Sequence, residues 1–246
     1  MENGIIVGCD VNQEWLLPWW WHHYSLNNSY PVAFFDFGMS KKAVEWCKKR
    51  GVYMPLNNSI TIKKNIPINR KQSWQRLYGD VIWLSREAWL KKPFAMMNSP
   101  FSIGIWIDLD CKVMKSIDSI FNCINFNIEL AISRNGNDLG EFLYPTELSY
   151  NSGVIAFKKN ITILKHWVDM ITKASNSLPG DQDFLSRAIF VHKPNFLELP
   201  SIYNWYRVWG ENQEAVIYHY SGGHGKIAIL NEIKKNKKLA FFINSK

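Results

Sequence analysis

The chain has 246 residues, of which 47% are hydrophobic and 20% charged, a balance that excludes a disordered chain and fits one packed α/β-sized domain. The formal net charge is +8, spread along the chain apart from the cluster Lys234, Lys235, Lys237 and Lys238. Such a field suits phosphate-bearing ligands or an anionic membrane surface, and with no zinc-finger or RNA-binding aromatic signature nucleic acid is not an expected partner.

The first residues, MENGIIVGCD, carry no basic region followed by a long apolar run, and no later segment is long enough to span a bilayer. Cys9, Cys47, Cys111 and Cys123 show no paired spacing and read as reduced thiols. The expected location is cytoplasmic, with peripheral contact to an anionic membrane.

Ile5 to Cys9 form an apolar run that stops at Asp10, predicting a strand and a loop; Asn12 to about Asn27 then follows a helical pattern. Residues 18 to 24 read PWWWHHY. Pro18 suits a first turn, and Trp15, Trp19 and His22 or His23 then fall on one packed face. Adjacent histidines on a helix diverge by about 100°, which argues against a metal shared by His22 and His23.

Pro31 to Phe35 predict a second strand, Asp36-Phe37-Gly38 a turn, and Ser40 the cap of a helix that runs through Lys49 and ends at Gly51. Val52 to Leu56 predict a third strand. Strands alternating with helices predict a parallel sheet with right-handed crossovers, whose ligands lie beyond the strands' carboxyl ends. Asn57 to Ser73 is polar and basic and reads as a loop. Trp83 to Asn98 reads as a helix interrupted or kinked at Lys92-Pro93. A strand follows at Ile103 to Asp108, then a short helix at Ser116 to Phe121, a strand at Ile128 to Ile132 and a loop at residues 135 to 138. Val154 to Phe157 predict a strand, Ile161 to Ala174 and Asp181 to Phe190 two helices, and Val216 to His219 a strand closing the sheet. Twelve tryptophans exceed what a core requires, and surplus rings either fill the interior or line sugar and nucleotide sites.

The strand IGIWIDLDC ends in Asp108 and Asp110. Residues at i and i+2 of an extended chain point the same way, so these carboxylates either cap a turn or converge on a cation. Hard oxygen ligands suit Mg²⁺ or Mn²⁺, which bridge one or two carboxylates to substrate phosphates.

Five motifs in order resemble GT-A fold glycosyltransferases, in particular family 8 and the related α-mannosyltransferases. They are Val7-Gly8-Cys9-Asp10, KPFAMMNSPFSIGIWIDLD from Lys92 to Asp110, YNSGVIAF from Tyr150, GDQDF from Gly180, and HYSGGHGK from His219. The resemblance implies a single GT-A domain with a Rossmann-like, mostly parallel central sheet flanked by helices. Its nucleotide-binding half would be residues 1–110, its donor-sugar and acceptor half 111–230, and its basic tail 231–246.

The resemblance also implies roles. Val7, Cys9 and Asp10 would lie at the nucleotide base, and Lys92 would face the donor phosphates. Asp108 would touch ribose and metal, with Leu109 beside it, and Asp110 and His219 would ligate Mn²⁺ or Mg²⁺. Gly222, Gly223 and Lys226 would hold the diphosphate, although the family's His-x-x-Gly-x-x-Lys spacing is one residue longer here. Asn151 and Ser152 would meet the donor sugar. Asp181, Gln182 and Asp183 would be the catalytic group; as a bare sequence they also read as a helix N-terminus. Gln182 is a poor covalent nucleophile, so retention implies front-face displacement, whereas inversion makes Asp181 or Asp183 the general base. Tyr144, Tyr203, Trp205, Tyr206 and Trp209 are candidate acceptor-stacking rings, Arg207 suits an anionic acceptor, and Cys111 reads as a small buried neighbour.

The expected function is metal-dependent transfer of a hexose from a UDP-sugar to a hydroxyl on a glycan, lipid-linked or protein acceptor, with retention. The alternatives are a GDP-mannose-dependent mannosyltransferase and a catalytically silent sugar- or membrane-binding module. A nucleotidyltransferase would begin with a glycine-rich basic loop, which VGCDVN is not.

Overall fold

The computed structural model describes residues 3–56, 62–63, 65–136 and 147–243, so Tyr144 lies outside the described residues. The main sheet has seven strands, β1 (Asn3–Cys9), β2 (Val32–Asp36), β3 (Val52–Pro55), β4 (Ile103–Ile107), β6 (Leu130–Arg134), β7 (Tyr150–Lys158) and β8 (Phe196–Leu199), in the order β3-β2-β1-β4-β7-β6-β8. The pairs β1/β2, β2/β3, β1/β4 and β6/β8 are parallel, whereas β7 runs antiparallel to β4 and β6. A sheet covered on both faces needs strands that are apolar on both sides, and the central strands β1, β4 and β7 are buried along nearly their whole length. Ile5, Val7 and Cys9 enter one core while Ile6 enters the other; Ile105 and Ile107 oppose Trp106 in the same way.

Helices α1 (Leu17–Ser25), α2 (Lys41–Lys48) and α5 (Asp118–Asn122) accompany α3 (Ile68–Tyr78), α4 (Val81–Met97), α6 (Thr162–Ala174), α7 (Asp181–His192) and α8 (Gly222–Lys235). Six of the twelve tryptophans are buried, Trp19 and Trp20 under one face of the sheet, Trp106 and Trp167 under the other. In α1 both Trp19 and Trp20 are sealed, so its packed face is wider than the expected single stripe. The predicted Ser40 cap accepts from the Ala43 N–H at 3.2 Å.

Four expectations are corrected. The stretch read as a loop to Ser73 becomes α3 from Ile68; of its residues only Trp74 is buried, so no amphipathic stripe announces it. Trp74 packs beneath the Arg86 guanidinium of α4, 5.1 Å from its ring. Helix α4 continues through Pro93, so the proline does not end or interrupt it as the first of the two expected outcomes would have it. The helix expected from Asn12 is a 3₁₀ turn at Glu14–Leu16 followed by α1. Finally, β10 (Ile217–His219) does not close the main sheet. It forms a separate sheet with β5 (Cys111–Val113) and β9 (Trp205–Tyr206), in the order β5-β10-β9. Helix α8 runs on through buried Ile233 to Lys235, so the basic stretch begins inside a packed helix.

Candidate active site

Strand β4 delivers Asp108 to the carboxyl edge of the sheet, where its N–H donates to Gly153 O at 2.8 Å. The chain turns over Leu109, which is buried in the core, and re-enters as β5. In the small sheet His219 of β10 pairs directly with Cys111, and the Tyr220 N–H donates to Asp110 O at 2.9 Å. This pairing carries the late histidine to the carboxylates: His219 Nε2 lies 3.4 Å from Asp110 Oδ1. The ring Nδ1 meets Asn204 Oδ1 at 2.9 Å, while Asn204 Nδ2 donates to Asn151 Oδ1 at 2.7 Å. The Asn204 amide oxygen makes Nδ1 a donor and leaves Nε2 facing Asp110, where it donates in the protonated ring and offers a lone pair to a cation in the neutral one. Gly153 is required beneath the ring, since a Cβ there would lie 2.5 Å from His219 Cε1.

With a neutral ring the imidazole nitrogen and the carboxylate oxygen are two acceptors, which a cation between or beside them would reconcile. Lys226 Nζ stands 3.7 Å from Asp110 Oδ2. Burial pushes the Asp110 carboxyl up, yet His219, Lys226 and Lys92 outweigh it and hold the group well below the usual carboxylate range. At Asp108 burial raises the carboxyl, Lys92 pulls it back, and the neighbouring Asp110 charge raises it further. A divalent cation would relieve that repulsion, and the donor set of carboxylate oxygen and imidazole nitrogen fits one. Among the described residues, the group whose ligand atoms all lie within 4.8 Å of one another is Asp110, Cys111 and His219. Asp108 is not in it: its carboxylate accepts from Trp106 Nε1 at 2.7 Å and pairs with Lys92 at 3.0 Å.

Lys92, on α4, is buried and reaches Asp181 Oδ2 at 2.8 Å as well as Asp108, and it donates to Ser152 O at 3.0 Å. Burial alone would lower its pKa; the two carboxylates overcome this and raise it. It therefore sits as the bridge between the two acidic motifs. Ser152 Oγ donates to Asp181 Oδ2 at 2.7 Å, and Asn151 Nδ2 donates to Gln182 Oε1 at 3.3 Å. Asp183 turns back to its own helix end, accepting from the Gly180 N–H at 2.8 Å and from Tyr78 Oη at 3.4 Å. Burial lifts its carboxyl to about 7 despite the Gly180 N–H. The loop leading into α7 is anchored by buried Arg86, which donates to the carbonyls of Ser175, Leu178 and Pro179.

These groups surround one cavity of about 420 Å³. Lys92, Asp108, Asp110, Asn151, Ser152, Asp181, Gln182, His219, Gly222, Gly223 and Lys226 all line it. Gly222, with φ +73°, turns the chain into α8. Gly222 and Lys226 then stand four residues apart on the helix, one above the other. The N-terminus of α8 thus faces the cavity, a position suited to an anion. Val7, Cys9 and Asp10 are not among the lining residues; Val7 and Cys9 are core, and Asp10 accepts from the Asn12 N–H in a turn. Leu77, Tyr78, Val81 and Trp89 complete the lining from α3 and α4, and Asn135, Tyr206 and Val208 from the opposite side. Of the candidate acceptor rings, Tyr206 bonds Asn151 and Asn135 and stacks parallel to His219 at 5.5 Å. Trp209 packs edge-on against Tyr206 at 4.8 Å.

No protein-family profile matches the chain. No curated protein matches it in sequence. Solved structures do match. The galactosyltransferase LgtC, solved with donor and acceptor sugar analogues, aligns at TM-score 0.62 and 14% identity over 96% of this chain and 95% of its own. Mouse xyloside xylosyltransferase 1 in its apo form aligns at TM-score 0.59 and 13% identity, over 89% and 97%. The glycosyltransferase GlyE of Streptococcus pneumoniae TIGR4 aligns at TM-score 0.57 and 13% identity, over 96% and 65%. At these identities the likeness is one of architecture, and with the order of its sheet it shows that the chain has the GT-A glycosyltransferase fold.

Proposed function

We propose that the protein is a glycosyltransferase that uses Mn²⁺ or Mg²⁺ to move a hexose from a nucleotide diphosphate sugar, a UDP-sugar, to a hydroxyl on a glycan, lipid-linked or protein acceptor. The observation that carries this reading is the convergence of Asp110, His219 and Lys226 on one side of a cavity whose other side is Asp181 and Gln182. A bound divalent cation supplies charge stabilisation to the departing nucleoside diphosphate. Asp110 and His219 would hold it, with Asp108 beside them. Lys226 and the N–H groups at the start of α8 bind the diphosphate and stabilise its charge as the sugar–phosphate bond breaks.

Asp181, fixed by Lys92 and Ser152, presents an acceptor to sugar hydroxyls, and Asn151 orients Gln182. Both catalytic-motif carboxylates have fixed partners, Asp181 in an ion pair and Asp183 at the helix cap. That arrangement supports retention without a covalent carboxylate intermediate. Tyr206 and its neighbours offer the acceptor a stacking surface. Incubation with a panel of UDP- and GDP-sugars and Mn²⁺, read as released nucleoside diphosphate, tests the reading. Release from UDP-hexoses supports it; release from GDP-mannose alone selects the mannosyltransferase, and release from none leaves a binding module.

A further inference from the structure

Cys111 has no part in the chemistry just described, yet it stands in the middle of it. As the direct cross-strand partner of His219, its side chain shares that residue's face of the small sheet. Its Sγ, one Asp110 carboxylate oxygen and one His219 ring nitrogen all lie within 4.8 Å of one another. Asp110 and His219 line the cavity, and Cys111 is fully buried beside them. The His219 ring is already oriented as a ligand by Asn204 Oδ1 at 2.9 Å on its other nitrogen. Imidazole held by an outer hydrogen bond, carboxylate and sulfur make three donors of the kind that hold zinc with a further position open. Magnesium and manganese prefer oxygen and gain little from the thiol, whereas thiolate strongly favours softer ions.

We infer that Asp110, Cys111 and His219 form a site for a thiophilic divalent cation of the zinc class, which occupies the place of the hard cation. The inference rests on the proposed function for the competition alone; the donor cluster stands whether or not the protein transfers sugar. Binding converts the Cys111 thiol to a thiolate bonded to the ion, and its proton passes to solvent. The hard ion then loses two ligands, so zinc opposes Mn²⁺.

Cadmium is the probe, because a cadmium–thiolate bond has an ultraviolet charge-transfer absorbance that oxygen and nitrogen ligands lack. Titrated into the whole protein without any nucleotide, Cd²⁺ should give this band, and Zn²⁺ should bleach it. Cys111→Ser should abolish the band; Cys47→Ser and Cys123→Ser should keep it. His219→Gln and Asp110→Asn should keep the band and weaken Cd²⁺ binding by about 10-fold or more. Absence of the band in the natural protein, its survival in Cys111→Ser, or its loss in Cys123→Ser overturns the inference. If Cys111→Ser does not fold, unchanged Cd²⁺ affinity in both His219→Gln and Asp110→Asn overturns it instead. A missing band alongside Mn²⁺-dependent nucleotide release removes the soft-metal site and leaves the transferase. A band with no release from any sugar nucleotide does the reverse.

Discussion

His219 Nε2 faces Asp110 Oδ1 at 3.4 Å because β10 pairs with β5 rather than with the main sheet. That detour brings a nitrogen ligand to a carboxylate at the mouth of the sheet, and it makes the small sheet part of the site. The imidazole keeps its orientation through Asn204, which also holds Asn151.

Replacing Asn204 by Ala should therefore act through His219. Mn²⁺ affinity should fall about 10- to 100-fold, as outer-shell changes at metal-bound histidines do. Metal titration followed by spin resonance of free Mn²⁺ measures it. The fall should exceed any loss shown by a distant control such as Asn195→Ala.

Lys92→Met leaves buried Asp181 and half-buried Asp108 without their shared cation. Breaking a buried ion pair by removing one partner costs about 3–5 kcal/mol, and urea unfolding should show a loss of that order. A loss below about 1 kcal/mol would mean that the pairing is as weak as a surface bridge.

Asp183 should give stability a pH dependence. Burial, with the Asp181 charge added and the Gly180 N–H opposing, raises its folded carboxyl to about 7. The folded state therefore binds this proton more tightly than the unfolded chain. The stabilisation is fully present below the ordinary carboxyl pKa of about 4 and is lost as pH rises through about 7. Between pH 5 and 8 the loss should be of the order of a few kcal/mol, and Asp183→Asn, which keeps an acceptor for Gly180, should remove most of it. Urea unfolding at both pH values checks this; an unchanged difference in Asp183→Asn assigns the effect to another group.

The parts of this fold that were legible in sequence are those whose cause is local. Apolar runs at Ile5, Val32 and Ile103 each bury both faces of a strand, and Ser40 caps its helix with its own hydroxyl. Asp108 and Asp110 were legible because a buried strand seldom ends in two carboxylates. The rest depended on partners distant in sequence. Helix α3 buries Trp74 and little else, so its pattern is polar. Strand β9 has two residues, too few for a period, and β5 has three. Tyr78, Val81 and Trp89 line the cavity from the α3–α4 corner, and Asn204 reaches His219 from the turn after Ser201–Tyr203; neither carries a motif. Lys92, which lines the cavity, also bridges Asp108 and Asp181, a contact that spacing cannot reveal.

The most direct test of the account is thermal or urea unfolding with Mn²⁺ and a nucleoside diphosphate, compared between the natural protein and Asp110→Ala. At 100 times its dissociation constant the ligand pair should stabilise the natural protein by about 2.7 kcal/mol, and Asp110→Ala should fold yet gain nothing. No stabilisation by Mn²⁺ or Mg²⁺ with either UDP or GDP, or an equal gain in Asp110→Ala, would contradict a cation–diphosphate site at Asp110 and His219.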